Sequence, residues 1–221
     1  MPFPFTRQRS PLTDEAPRAK AASFLFELIQ VAAISLAIIL PVRYYLVQPF
    51  YVKGASMEPN FYDHEYLIID ELSYRFHEPI RGDIVVFRYP HDPSQYFIKR
   101  VIGLPGETVE FKDGKVKVYN DTHPNGLVLN EMIYLDQDFT AAGSEKTFTI
   151  KPHEYFLMGD NRAASLDSRY FGPVDRAAIV GRVWVRGYPF DRWQHFNPPA
   201  YQDALSLPAI VPASSTVPVV R

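Results

Sequence analysis

Two side chains far apart in the sequence, Ser56 and Lys99, have the chemistry of an acyl-transfer pair. Ser56 follows the small residues Gly54 and Ala55, and Lys99 lies in the apolar run 97–102. A serine hydroxyl becomes an effective nucleophile when a base takes its proton, and a lysine buried among apolar groups can be neutral enough to do so. The two residues together indicate nucleophilic hydrolysis.

The strand pattern around Lys99 leaves this lysine as the one possible base in its run. Phe97, Lys99 and Val101 share one face of a strand, and Arg100 lies on the other. A guanidinium keeps its proton in proteins, whereas burial lowers the pKa of an ammonium. The plainer alternative is an edge lysine that solvates the end of a strand.

Ser56 also has alternatives. It can be an ordinary turn serine, since Gly54 and Pro59 favour a loop. A Ser/His/Asp triad with His64 or His91 stays open as well, because triads are assembled in space from residues distant in sequence.

A polar segment, residues 159–173, is the third candidate element after Ser56 and Lys99, and it lies between two strand patterns. Its turn-forming and charged residues fit a polar turn with surface ion pairs. They equally fit a supporting shell that fixes a buried base, with one hydroxyl beside the lysine.

The N-terminal part predicts a membrane anchor. Residues 24–46 are mostly apolar and 28–42 carry no charge, about the length that crosses a bilayer. The alternative, a cleaved secretory signal, lacks a small-x-small site after the run. We expect a disordered cytoplasmic tail at 1–20, a transmembrane helix at 21–46, and an extracytoplasmic remainder, because basic residues exceed acidic ones before the helix.

The rest of the chain predicts antiparallel β structure. Short β-branched and aromatic runs alternate with turn residues, and an Asp-Gly pair at 113–114 marks a hairpin. We expect a β catalytic domain at 47–197, with an inserted hairpin lobe at about 109–151 and a mobile tail at 198–221. The predicted fold class is mainly β, an antiparallel β core with a small inserted β lobe after one transmembrane helix.

Composition excludes several functional classes. The 221 residues carry 23 basic and 25 acidic side chains, a net charge of -2 without a basic stripe, so we expect no nucleic-acid partner. No cysteine is present and the six histidines lack ligand spacing, so we expect no metal.

These segments together resemble bacterial type I signal peptidases. The resemblance rests on the anchor, the serine box 54–59, the strand 81–87, the lysine box 99–107 and the box 159–173. It implies an antiparallel β core at the cytoplasmic (inner) membrane and cleavage of signal peptides from exported preproteins, without a cofactor. It also implies Ser56 as nucleophile, Lys99 as general base and Ser165 as the hydroxyl that orients the lysine. A structural shell is implied at Asp160, Arg162, Asp167, Ser168 and Arg169, and the walls of shallow apolar substrate pockets at Phe50, Val52, Met57 and Ile98.

One position departs from part of that family. Some relatives have a serine two residues before the nucleophile that helps to bind the oxyanion, and this chain has Gly54 there. We therefore assign no side-chain oxyanion donor.

Two rival functions remain. One is a self-cleaving repressor-type protease, which a membrane anchor does not suit. The other is a catalytically silent membrane-anchored β module that binds signal peptides or partner proteins; it would not need Ser56, Lys99 and Ser165 together.

An aromatic cluster near the end of the β domain suggests a lipid-facing surface. Such a density of rings is more typical of a membrane interface than of a polar loop, although these rings can also cap the β core. The cluster consists of Trp184, Tyr188, Phe190, Trp193 and Phe196.

Overall fold

The computed structural model describes residues 17–45, 47–135 and 145–198. The chain separates into two compact units, Met1–Tyr44 and Tyr45–Arg221. Most of the two predicted tails, 1–20 and 198–221, and part of the predicted lobe lie outside the described residues. The first unit is described below by its helix alone.

Helix α1 spans Pro17–Tyr45. It begins inside the predicted tail 1–20, at a proline, which is well suited to the first turn of a helix because that position needs no N–H donor. Within the described residues, no helix combines the length and the apolar character needed to cross a membrane. The predicted transmembrane helix at 21–46 is therefore not confirmed.

The described part of the second unit consists mainly of antiparallel strands, with one short α-helix, α2, at Ser168–Phe171. The strands are β1 Val47–Tyr51, β2 Tyr66–Asp70, β3 Ile84–Tyr89, β4 Asp92–Gly103, β5 Thr108–Lys112, β6 Lys115–Tyr119, β7 Leu127–Val128, β8 Lys146–Thr149, β9 Glu154–Met158, β10 Val174–Asp175, β11 Ile179–Tyr188 and β12 Gln194–His195. The predicted mainly antiparallel β class is confirmed for the described residues.

The larger sheet has the strand order β1-β2-β11-β3-β4-β9-β10, with β12 paired to β11. Its central strands bury side chains on both faces, because successive residues of a strand point to opposite sides. On β9, Tyr155 and Leu157 enter one core cluster while Phe156 and Met158 enter another. A strand with two buried faces is a rigid support for a functional side chain.

The smaller sheet has the order β7-β6-β5-β8. The predicted hairpin is confirmed: β5 and β6 pair up to Lys112 and Lys115, and the turn residues Asp113 and Gly114 have φ angles of 51° and 72°. Both angles lie in the left-handed region that asparagine, aspartate and glycine tolerate best, which explains the Asp-Gly signal.

One core cluster joins the two sheets. Val109 and Val118 of the smaller sheet pack with Ile102 of β4 and with Phe156 and Met158 of β9. A four-stranded sheet with one apolar face must cover that face, and here β4 and β9 of the larger sheet cover it. The smaller sheet is therefore packed against β4, the strand that contains Lys99, and against its neighbour β9.

Replacement of Phe156 by alanine tests this packing between the two sheets. Phe156 is 0% exposed and its ring centroid lies 4.9 Å from that of Phe148 and 5.7 Å from that of Phe111. Removal of a buried ring leaves a cavity, so we expect the free energy of unfolding to fall by about 3–5 kcal/mol in a urea titration. Phe76→Ala, at a ring that is 74% exposed, is the control and should change it by less than about 1 kcal/mol. Equal effects of the two substitutions would contradict this account of the core.

Candidate active site

Ser56 lies in the loop between β1 and β2, where the chain turns sharply. Gly54 has a φ of +90°, which is strained for any residue with a side chain. Its N–H donates a hydrogen bond of 2.9 Å to Asp63 Oδ1 across the same loop. The tight turn before Ser56 therefore explains why glycine occupies position 54. Ser56 itself is half-buried.

Lys99 lies on β4, which pairs with β3 at this position and begins to pair with β9 at the next residue, Arg100. The Lys99 side chain is buried, with 3% of the residue exposed, and Lys99 pairs across the sheet with Val85. Its Nζ lies 2.7 Å from Ser56 Oγ and 2.7 Å from the carbonyl oxygen of Ile98, both hydrogen-bond distances. The structure thus brings together two residues that are 43 positions apart in the sequence.

Burial lowers the pKa of Lys99 to about 8. Removal of the ammonium from water disfavours the charged form, and the nearby Arg169 acts in the same direction. The carboxylates of Asp167 and Asp160 oppose the shift, because they favour a positive neighbour. Desolvation is the larger effect, so a substantial fraction of the amine is neutral near pH 8.

Ser165 lies in the loop after β9, in contact with Gly159. A Cβ on Gly159 would lie 2.1 Å from Ser165 Oγ and 2.4 Å from the carbonyl oxygen of Ser56. Only a glycine therefore lets this loop approach Ser56 so closely. Ser165 Oγ is buried and has no hydrogen-bond partner among the described residues, so no hydrogen bond joins it to Lys99 here.

Asp160 and Arg162 of the predicted shell form buried ion pairs. Asp160 accepts two hydrogen bonds from Arg100, from Nε at 2.8 Å and from Nη2 at 2.7 Å. Arg162 pairs with Glu131, and its Nε donates to the carbonyl oxygen of Gly159 at 3.1 Å. The loop that carries Ser165 is thus fixed at its start.

Asp167, Ser168 and Arg169 fix the other end of that loop. Asp167 caps α2, pairs with Arg169 at 2.8 Å, and accepts a hydrogen bond of 3.0 Å from the N–H of Gly159. Ser168 Oγ accepts one of 3.0 Å from the N–H of Leu157. The five predicted shell residues therefore lie in this loop or at the start of α2, and the hydrogen bonds described for them join groups other than Ser56 and Lys99.

Asn161 was missed by sequence reasoning, although it lies in the same box. Its backbone N–H donates to the carbonyl oxygen of Ser56 at 3.1 Å, and its Nδ2 donates to that of Ala55 at 3.0 Å. Asn60 was missed too; its Nδ2 donates to Asp160 Oδ2 at 2.8 Å. These amides connect the serine loop with the Ser165 loop, and their positions in the sequence contain no signal of that contact.

An open cavity of about 660 Å³ adjoins the serine and the lysine. The end of β1 and residues 95–99 of β4 both line it. Of the four predicted pocket residues, Phe50, Val52 and Ile98 line this cavity. Met57 is 1% exposed, packs with Val52 in a core cluster, and is not among the residues that line the cavity.

Neither histidine considered for a triad has a described hydrogen bond to Ser56. His64 Nδ1 lies 2.9 Å from Asp63 Oδ2, and His91 stacks on the ring of Tyr89 at 5.4 Å. The geometry therefore gives no support to a Ser/His/Asp arrangement. In the described part of the chain, no group of three histidine, aspartate or glutamate side chains is arranged to hold a metal ion.

Similarity to known proteins shows the family of this chain. The family described as "Signal peptidase, peptidase S26" matches residues 25–188. A signal peptidase I of Leptolyngbya laminosa is 36% identical over 88% of this chain and 95% of its own length. A signal peptidase IB of Staphylococcus aureus is 33% identical over 79% of this chain and 95% of its own.

A crystal structure of a signal peptidase I from Enterococcus faecalis V583 is 34% identical and covers 48% of this chain and 97% of that one, with a TM-score of 0.39. The family match extends over most of the chain and includes Ser56, Lys99 and Ser165. The chain therefore belongs to the signal peptidase family, peptidase S26.

Proposed function

We propose that this protein is a membrane-bound serine endopeptidase that removes N-terminal signal peptides from exported preproteins. Ser56 is the nucleophile and Lys99 the general base. The relatives named signal peptidase I support the substrate class. The observation that carries the mechanism is the hydrogen-bond distance of 2.7 Å between Lys99 Nζ and Ser56 Oγ. Lys99 is buried, and its pKa is lowered to about 8.

The first half of the reaction forms an ester. Neutral Lys99 accepts the hydroxyl proton of Ser56 while Ser56 Oγ attacks the carbonyl carbon of the scissile peptide bond. The tetrahedral intermediate then breaks its C–N bond, and protonated Lys99 returns the proton to the leaving amine. The signal peptide is now an acyl group on Ser56, and Lys99 is neutral again.

The second half releases the signal peptide. Lys99 accepts a proton from water while the water oxygen attacks the ester carbonyl, and the proton then returns to Ser56 Oγ as the ester breaks. Ser165 is proposed to orient the Lys99 amine. Its buried, unpaired Oγ supports this role, because an unsatisfied hydroxyl at this depth is available to bond the amine once a substrate is bound.

The cavity supports binding of an extended peptide. Strand β1 is paired on one side, with β2, and residues 96–98 of β4 are paired with β3 but not with β9, whose pairing begins at Arg100. Strand edges can pair with a further strand. A substrate that lies between them would pass Ser56, with small side chains directed at the walls formed by Phe50, Val52 and Ile98.

Incubation with a preprotein tests the proposed function directly. The full chain in detergent should cut a preprotein after a small-x-small sequence, as shown by sequencing of the new N-terminus. Ser56→Ala should lower the rate by roughly 10³-fold or more. Lys99→Arg should be similarly damaging, because a guanidinium cannot act as a base.

Lys151→Arg, at a lysine whose side chain is 77% exposed, is the matched control and should retain the wild-type rate. A Lys99→Arg protein with full activity would contradict the assignment of the base. A folded wild-type protein that binds the preprotein without cutting it would favour the silent binding module.

The pH dependence follows from the lowered pKa of Lys99. The base acts in its neutral form, so kcat/KM should rise about ten-fold per pH unit at acidic pH and level off above about pH 8. A lysine with its ordinary pKa would place this bend more than two units higher. An acidic limb that moves when His64 or His91 is replaced would instead indicate a histidine base.

We also propose that the protein acts at the cytoplasmic (inner) membrane, as a single-pass protein with its N-terminus in the cytoplasm and its catalytic domain outside. The uncharged run 28–42 and the exposed apolar side chains of α1 support attachment through the helix. Among the aromatic cluster, Trp184, Tyr188, Phe190 and Trp193 are exposed, which supports a second lipid contact.

Ring contacts extend this aromatic surface towards the cavity. Tyr188 lies 5.6 Å from Phe190 and 6.1 Å from Tyr66, which lies 5.2 Å from Tyr51, a residue of the cavity wall. Phe196 is different, because it packs on Phe61 and the core. Four of the five predicted rings are therefore available to enter a headgroup region.

A truncated chain that begins at Pro49 tests the lipid contact. We expect it to sediment with phospholipid vesicles, and the double substitution Phe190→Ser with Trp193→Ser to weaken binding by at least about ten-fold, because two exposed rings lose their burial in lipid. Phe76→Ser, outside the cluster, should bind as the parent does. Equal binding of all three proteins would show that this surface does not contact lipid.

A further inference from the structure

Glu131 is a buried carboxylate from outside the boxes that contain Ser56, Lys99 and Ser165. It begins a short 3-10 turn, Glu131–Ile133, which lies in the sequence between β7 and β8 of the smaller sheet. Only 2% of the residue is exposed. Its Oε1 accepts a hydrogen bond of 2.5 Å from Arg162 Nη2 and one of 2.7 Å from Tyr134 OH, and its Oε2 accepts from Arg162 Nη1.

Arg162 connects this carboxylate to the loop that carries Ser165. The guanidinium uses two nitrogens for Glu131 and the third, Nε, for the carbonyl oxygen of Gly159. Gly159 is where the loop comes within van der Waals contact of both Ser165 Oγ and the backbone of Ser56. A planar guanidinium held by both carboxylate oxygens has a fixed orientation, so its third donor fixes the position of that carbonyl.

We propose that Glu131 is a positioning residue for the active site. By holding Arg162, it keeps residues 159–165 against Ser56 and Lys99, so that Ser165 and the amides of Asn161 stay in place. The inserted segment between β6 and β8 thus contributes one side chain to the alignment of the reaction, in addition to the apolar face of its sheet. This proposal rests on the proposed function of Ser56 and Lys99.

A purely structural ion pair is the alternative, and the chain contains a matched example. Glu107 is 4% exposed and accepts hydrogen bonds from Arg81 Nη2 at 2.6 Å, from Asn120 Nδ2 at 2.8 Å and from the N–H of Leu104 at 2.8 Å. None of these described partners lies in the serine loop or in residues 159–165. Loss of either carboxylate charge leaves a largely buried guanidinium without its counter-charge, so both changes should lower stability.

The kinetic experiment compares Glu131→Gln with Glu107→Gln in the full chain in detergent, with a preprotein as substrate. Both variants should melt at lower temperature than the wild type. Glu131→Gln alone should lower kcat by about ten-fold or more with KM within about two-fold, because a displaced loop misaligns the reacting groups while the cavity walls at Phe50, Val52 and Ile98 stay in place. An equal kcat loss in the two variants would overturn the proposal.

Two further variants keep the test decisive if Glu131→Gln folds poorly. Glu131→Asp retains the charge but is one methylene shorter, so it should fold and still lose kcat. In Arg162→Met, addition of Glu131→Met should cost no further kcat, because the two residues act as one unit. Full kcat in folded Glu131→Asp, or additive losses in the double variant, would overturn the proposal.

A spectroscopic measurement separates failure of this proposal from failure of the proposed function. The full chain is labelled with 13C-lysine, and the Lys99 signal is identified by its absence from Lys99→Arg. Its titration midpoint should move in Glu131→Gln, because the segment 159–165 contains Asp160, whose charge acts on the pKa of Lys99, and should stay unchanged in Glu107→Gln. An unchanged midpoint in folded Glu131→Gln would overturn the positioning role, whether or not the wild type cuts the preprotein.

Discussion

A lysine amine kept out of water beside a serine hydroxyl is the interaction on which the rest of the structure depends. An ammonium without solvent is costly, and this cost lowers the pKa of Lys99 to about 8. The amine still needs hydrogen-bond partners, and Ser56 Oγ and the carbonyl oxygen of Ile98 supply them at 2.7 Å. Burial requires a sheet with two covered faces, and the proposed reaction requires an open cavity beside it. The larger sheet meets both conditions, because β4 is buried from Lys99 to Gly103 and lines the cavity along residues 95–98, which are exposed or half-buried.

The carboxylates near Lys99 favour its protonated form, and their effect is limited by their own ion pairs. Asp160 and Asp167 both act to raise its pKa, and each of them is paired with a guanidinium, from Arg100 and Arg169 respectively. Such pairs offset the field of the carboxylates at the amine while keeping their hydrogen bonds to the loop. The charged residues of the 159–173 box thus shape the loop, and desolvation still decides the protonation of the lysine.

The smaller sheet takes part in the same construction. Its apolar face packs on Ile102 and Met158, at the ends of the strands that continue from Lys99 and lead to Gly159. Glu131, in the segment between its strands, reaches Arg162. The inserted segment therefore meets β4 and β9 through an apolar contact, and it meets the loop of Ser165 through a polar one.

The sequence by itself determined much of the local structure. The strands around Lys99 and the Asp-Gly hairpin follow from alternation and turn chemistry, and the pairing of Ser56 with Lys99 was expected from their chemistry and from a family resemblance. Alternation shows which residues share a face, but it does not show which loop meets which. The contact of Asn161 with Ala55 joins positions 106 apart, and the burial of Met57 in the core depends on how the loop between β1 and β2 packs. Only the tertiary structure decided these, because long-range contacts between irregular loops depend on the packing of the whole domain and leave no periodic signal in the sequence.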